Sequence, residues 1–180
     1  MINAFLFLAH SIPIASCIAQ KILVYKQYCY FLNERSGAMK RVDYRFFFPF
    51  RVRYSEIDGQ MIVYNAHYLT YFDTAITEYC RLLSYDFVGE RERTGQDFHT
   101  VRALVEYKAP IFFDDEIEVG VRTLRIGNSS LTFNLGIFRL QQSDLLSSGE
   151  VVWVNTDQSS RKAVAVPQKL ISKLNEFDRK

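Results

Sequence analysis

The chain is 180 residues long, enough for one domain plus an extension, and its 48% apolar content excludes a disordered polymer. The formal charge of +2 is carried by residues 1–40, where Lys21, Lys26, Arg35 and Lys40 face Glu34 alone. The rest holds 18 basic and 19 acidic residues, so no broad cationic face for nucleic acid is expected.

The first stretch, MINAFLFLAHSIPIASCIAQ, is apolar but interrupted by His10 and Pro13 and then broken by Lys21. It is too interrupted for a membrane-spanning helix, and it lacks the basic residues that open a secretory signal. Ile14-Ala15-Ser16-Cys17 looks like a lipoprotein cleavage box, but that box also needs the missing basic residues. The expectation is that residues 1–40 lie outside the fold, as a disordered extension or because translation starts at Met39, and that 41–180 form the domain. Cys17, Cys29 and Cys80 are odd in number and have no CxxC spacing, so neither a disulfide framework nor a metal site is expected. A reducing cytoplasm is the default compartment.

Residues 45–54, RFFFPFRVRY, are aromatic and alternate from Phe50, which predicts a half-buried strand; Pro49 suits an edge. Ser55 to Gln60 breaks the alternation and predicts a turn centred on Asp58. Asn65 is the expected N-cap of a helix. Its apolar stripe is Tyr68, Leu69, Phe72, Ala75, Ile76, Tyr79, Cys80 and Leu83, broadened by Tyr71 and Leu82. Ser84 to Gln96 is polar, contains Gly89 and Gly95, and reads as a loop. Strands are then expected at 101–107, 117–126, 131–137 and 151–154, joined by short turns as an antiparallel meander. Pro167 opens a terminal helix carrying Leu170, Ile171, Leu174 and Phe177. One wide-striped helix and a long antiparallel sheet make an α+β domain, most economically a sheet curled around the helix.

Asp58 is placed just before a helix N-terminus, where unpaired amides point outward; a carboxylate facing such donors suits attack on a carbonyl compound. The competing role is an Asx turn. Asp73 is a helix acid that suits solvent or an ion pair, Glu78 and Arg81 are spaced to pair on the helix surface, and His99 suits a structural role. His67, in the first helical turn, suits either substrate contact or packing.

The segment RVRYSEID-GQMIVYNAHYLTYFDTAITEYCR resembles the hot-dog fold thioesterases, most closely the 4-hydroxybenzoyl-CoA thioesterase and YbgC-like acyl-CoA thioesterase branch. VEYKAPIFFDDEIEV, RIGNSSLTF and VNTDQSSRKAVAVP extend the resemblance across about 46–166. It implies a sheet wrapped around a central helix, subunits paired edge to edge as dimers or tetramers, and an acyl-CoA or acyl-carrier-protein substrate, with no cofactor and no metal. It further implies Asp58 as the catalytic acid, the backbone N–H of Asn65 as the carbonyl donor, and Tyr64 as a residue shaping the site. Asp73 matches the acid of a second branch and is the runner-up. Arg125, Asn128, Ser129 and Ser130, with Arg161 and Lys162, are implied to hold the nucleotide end of coenzyme A.

Two departures stand out: Met61 replaces a usual glycine three residues after the acid, and Asn65 replaces a frequent histidine, with His67 two residues on. Thioester hydrolysis is the leading reading. A non-catalytic acyl-thioester binder, kept open by Met61, and a dehydratase, which would need a histidine at the turn, are the alternatives.

Overall fold

A computed structural model describes residues 39–178, and the expectation for the leader lies outside those residues. The elements in order are a 3₁₀ turn (Arg41–Asp43), β1 (Phe46–Arg51), a 3₁₀ turn (Tyr54–Glu56), α1 (Asn65–Leu82) and α2 (Phe87–Thr94). β2 (Gln96–Tyr107), β3 (Glu116–Ile126), β4 (Ser130–Arg139), β5 (Leu145–Asp157) and α3 (Gln168–Asp178) follow. The five strands form one antiparallel sheet in the order β1-β3-β4-β5-β2.

Only β3, β4 and β5 follow the expected meander; β2 crosses to pair with β5 at the far edge. α1 fills the hollow of the sheet. It touches both edge strands, β1 and β2, as well as β3, which requires the sheet to curl around it. Its face made of Phe72, Ala75, Ile76 and Tyr79 is fully buried with Ile117, Val119, Val121, Leu131, Phe133 and Leu135. Truncating Phe72 to alanine in such a core costs about 3–5 kcal/mol.

The helix stripe is narrower than its sequence suggests. Tyr68, Tyr71 and Cys80 are buried, but Leu69 and Leu82 are 43% and 55% exposed. Tyr54, the last residue of the expected alternation, is also exposed, because β1 ends at Arg51 and the chain turns at Tyr54–Glu56.

The segment expected as a loop contains α2. Its signals are caps rather than an apolar stripe: the Asp86 side chain accepts from the Gly89 N–H at 3.0 Å, and Gly95 ends the helix at φ 68°. β5 starts six residues earlier than Val151. Gly149, expected to precede the strand, lies inside it opposite Val105. A Cβ there would stand 2.2 Å from the Phe72 ring, so this glycine serves close approach of helix to sheet rather than a turn. α3 forms as expected after Pro167, with Leu170 and Leu174 buried. The Tyr79 hydroxyl donates to Asp178 at 2.9 Å, and Lys173 donates to the Leu83 carbonyl at 2.6 Å, fastening α3 to α1.

Among the described residues, no helix is long and apolar enough to cross a membrane.

Candidate active site

The turn after β1 is a tight hairpin. Ile57 pairs with Val63, the Asp58 N–H donates to the Ile62 carbonyl at 2.9 Å, and the Met61 N–H donates to the Asp58 carbonyl at 2.9 Å. Closing this turn requires a left-handed residue after the first reversal, and Met61 supplies it at φ 63°. The glycine usual at this position in the resembling family is thus replaced by a residue that holds the conformation glycine favours, and the turn is kept.

Asp58 is half-buried. Its Oδ1 accepts the Gln60 N–H at 2.7 Å, an Asx turn. Its other carboxylate oxygen has no hydrogen bond and no ion pair among the described residues. One oxygen therefore shapes the turn and the other stays available.

The chain from this turn runs directly into α1. The Val63 N–H donates to the Ile111 carbonyl at 2.8 Å and the Tyr64 N–H to the Glu56 carbonyl at 2.9 Å, which keeps the chain extended through Tyr64. Tyr64 (φ −60°, ψ 135°) is consequently the N-cap, and Asn65 is the first helical residue rather than the cap expected from its side chain. No side chain caps the helix. The His67 N–H bonds the Tyr64 carbonyl at 2.9 Å, whereas the Asn65 and Ala66 N–H groups have no acceptor among the described residues. The acid with a spare oxygen thus sits in the hairpin that feeds α1, and the first two amides of that helix are open; amides so placed are able to polarise a carbonyl.

Tyr64 is half exposed beside this end, and His67 packs edge-on against it with ring centroids 6.1 Å apart. Asp73 lies two turns further along α1 and is exposed, with its carbonyl accepting from the Thr77 hydroxyl. Glu78 and Arg81 form the expected ion pair. His99 lies on β2 within 3.0 Å of the Gln158 amide. Cys80 is fully buried, and burial pushes its thiol up to about 12.

The residues expected to hold the nucleotide end form a second group. The Asn155 N–H donates to the Ser129 carbonyl and the Val166 N–H to the Asn128 carbonyl, each at 2.8 Å. These bonds tie the β3–β4 turn, flanked by Arg125 on β3 and Ser130 on β4, to β5 and to the segment after it, which carries Arg161 and Lys162. No hydrogen bond or ion pair among the described residues joins this group to the Asp58 turn. A cleft of about 350 Å³ lined by Leu82, Leu83, Lys173 and Phe177 lies at the opposite end of α1 from Asp58. Among the described residues, no cluster of His, Cys, Asp and Glu could hold a metal ion.

Sequence reasoning passed over Glu56, which is only 2% exposed. Burial alone would raise its carboxyl, but the Arg53 amide, the Tyr71 hydroxyl and the Arg53 guanidinium outweigh it and hold the group below the ordinary carboxylate range. The Arg53–x–x–Glu56 spacing was the available signal; Tyr71 was not predictable from it.

The family model described as the thioesterase-like superfamily matches residues 52–174. The chain belongs to that superfamily. The acyl-CoA thioester hydrolase YbgC of Escherichia coli is 29% identical to this superfamily member over 132 residues, covering 73% of this chain and 96% of that one. Among solved structures, a Pseudomonas aeruginosa protein superposes with a TM-score of 0.69 at 31% identity, covering 77% of this chain and 94% of its own. A Thermus thermophilus thioesterase complexed with coenzyme A and zinc superposes with a TM-score of 0.63 at 25% identity, covering 74% and 94%. The curled sheet around α1 is the hot-dog fold of these thioesterases.

Proposed function

We propose that this protein hydrolyses acyl-CoA or aryl-CoA thioesters to the free acid and coenzyme A, with Asp58 as the reacting carboxylate. The observation that carries the reading is the unpartnered Asp58 oxygen in the hairpin leading to the open Asn65 and Ala66 amides. Kinship with a YbgC hydrolase and with a thioesterase that binds coenzyme A supports the substrate class.

The thioester carbonyl oxygen accepts a hydrogen bond from the Asn65 N–H, which stabilises the charge that develops as the carbon is attacked. Asp58 either adds to the carbon itself or takes a proton from an attacking water. In both routes the C–S bond breaks and coenzyme A leaves as its thiolate. In the first route water then cleaves the mixed anhydride and restores the carboxylate. Tyr64 and His67 flank the acyl group, and Arg125, Asn128, Ser129, Ser130, Arg161 and Lys162 hold the phosphates.

The same reading makes the protein a cytoplasmic homodimer, or a homotetramer built from two such dimers, joined at the β2 edge. β2 is a 12-residue edge strand that leaves Val101, Leu104 and Tyr107 exposed. The opposite edge, β1, contains Pro49, which lacks the N–H needed to extend the sheet. The reading keeps residues 41–180 as the domain and 1–40 outside it. Met61 holds the turn at a left-handed φ of 63°, which supports the hydrolase reading over the non-catalytic binder.

Thiol release from a panel of acyl-CoAs and acyl-carrier proteins tests the proposal. Turnover by the wild type, lost in Asp58→Asn and kept in Asp73→Asn, is the expected outcome. The reverse pattern moves the role to Asp73, and binding without turnover of any substrate overturns the hydrolase reading.

A further inference from the structure

Five hydrogen bonds converge on Glu56. Its Oε2 accepts the Arg53 N–H at 2.8 Å and the Tyr71 hydroxyl at 2.7 Å, and its Oε1 accepts the Arg53 Nε–H at 2.9 Å and Nη2–H at 2.7 Å. Its backbone carbonyl accepts the Tyr64 N–H at 2.9 Å. Arg53 precedes the site turn, Tyr64 is the N-cap of α1, and Tyr71 stands in the second turn of α1. Asp58 follows Glu56 by two residues. The hairpin closes on itself, and its outgoing arm is held to the segment between β2 and β3 by the Ile62–Phe112 bridge and the Val63 N–H bond to the Ile111 carbonyl; the bonds of Glu56 are what join its incoming arm to α1.

We propose that Glu56 is a positioning residue for the reaction: its buried carboxylate and its carbonyl lock the Asp58 turn against the first turns of α1, so that the Asp58 oxygen and the Asn65 amide keep one fixed separation. The inference rests on the hydrolase reading given above. A buried ion pair used only to hold the fold together has no need to bond the cap residue and the second turn of the very helix that presents the amides. Here every bond made by Glu56 ends either in the segment entering the turn or at the leading end of α1. A reacting carboxylate displaced by about 1 Å loses on the order of 10²-fold in rate, so the brace acts on the chemical step.

The test is a double-mutant cycle on thiol release from an acyl-CoA that the wild type hydrolyses, with the folded fraction of every variant checked by circular dichroism. Glu56→Gln keeps the shape but presents an amide N–H₂ where a donor already points. It is expected to lower kcat by about 10²-fold while KM stays within about threefold. Combined with Asp58→Asn it is expected to cost nothing further, because there is no longer an acid to misplace. Tyr71→Phe, which removes one bond and leaves those from Arg53, is expected to fall between wild type and Glu56→Gln.

A Glu56→Gln enzyme with wild-type kcat, or one whose loss multiplies fully with that of Asp58→Asn, overturns the positioning role and leaves the hydrolase reading intact. If Glu56→Gln does not fold, Tyr71→Phe decides: a lowered kcat at unchanged KM supports the role, and wild-type kcat overturns it. An Asp58→Asn enzyme as active as the wild type overturns the role of Asp58, and the positioning role with it, while hydrolysis itself stands.

Discussion

Two aspartate turns of this molecule share a design and differ in how heavily the acid is bonded and in what the turn feeds. Both Asp58 and Asp157 open a reversal, both accept a backbone N–H through Oδ1 at 2.7 Å, and both turns close through a left-handed residue other than glycine, Met61 at φ 63° and Arg161 at φ 57°. At Asp157 the same oxygen also takes the Ser159 and Ser160 hydroxyls at 2.7 Å each, and these bonds push the acid down to about 2, the Ser160 backbone N–H foremost. Asp157 thus takes three bonds on Oδ1, in a turn that follows β5 and leads to no helix N-terminus. Asp58 accepts one bond and keeps an oxygen over, in the hairpin that feeds the amides of α1. Both turns use one carboxylate oxygen, so the proposed role of Asp58 rests on its lighter bonding and on its place in the hairpin that feeds α1.

The comparison breaks most visibly in rate. Asp58→Asn is expected to lower kcat for thiol release by about 10²–10⁴-fold, the range for removing a group that acts in the transition state, while Asp157→Asn lowers the melting temperature and leaves kcat intact. Equal losses of kcat in the two variants would erase the distinction.

The two turns also differ in how acid reaches them. The folded-state acid of Asp157 is depressed, so its contribution to stability is present above the ordinary aspartate value near ~3.9 and is lost as pH falls through about 2. Asp157→Asn is expected to flatten this part of the acid limb in a series of urea melts between those values; an unchanged limb would show that the serine bonds do not hold in solution.

The smallest effect concerns the left-handed positions. Met61→Gly is expected to stabilise the fold by about 1 kcal/mol in urea denaturation, since glycine relieves the strain and returns part of the gain as unfolded-state entropy. Retained kcat in this variant would show that Met61 serves only the turn, and a fall in kcat would add its side chain to the site.

Much of the fold was legible because α1 and the inner strands carry strong periodicities. The stripe from Tyr68 to Cys80 and the alternation of Leu131, Phe133 and Leu135 each describe a single buried face. Legibility failed where a residue answers to something distant. Gly149 reads as a turn until Phe72 is placed above it, and β2 reads as part of a meander until its pairing with β5 carries it to the far edge. α2 was hidden for another reason: caps at Asp86 and Gly95 define it, with no apolar stripe.

The turn at Asp58 and the helix that follows it were legible from local chemistry and from the resemblance. Asn65 was misplaced by one position because the Tyr64 N–H bonds Glu56, a contact across the turn that no propensity encodes. Glu56 escaped notice because a buried glutamate is justified only by partners, and Tyr71 lies fifteen residues away.

The most direct measurement is a crystal structure of the wild-type protein with a non-hydrolysable ketone analogue of an acyl-CoA, in which a methylene separates the carbonyl from the sulfur. The account predicts the carbonyl carbon within about 3.5 Å of the spare Asp58 oxygen and the carbonyl oxygen about 2.7–3.1 Å from the Asn65 N–H. An acyl group seated in the cleft between the last turn of α1 and α3, with Asp58 facing open solvent, would contradict it.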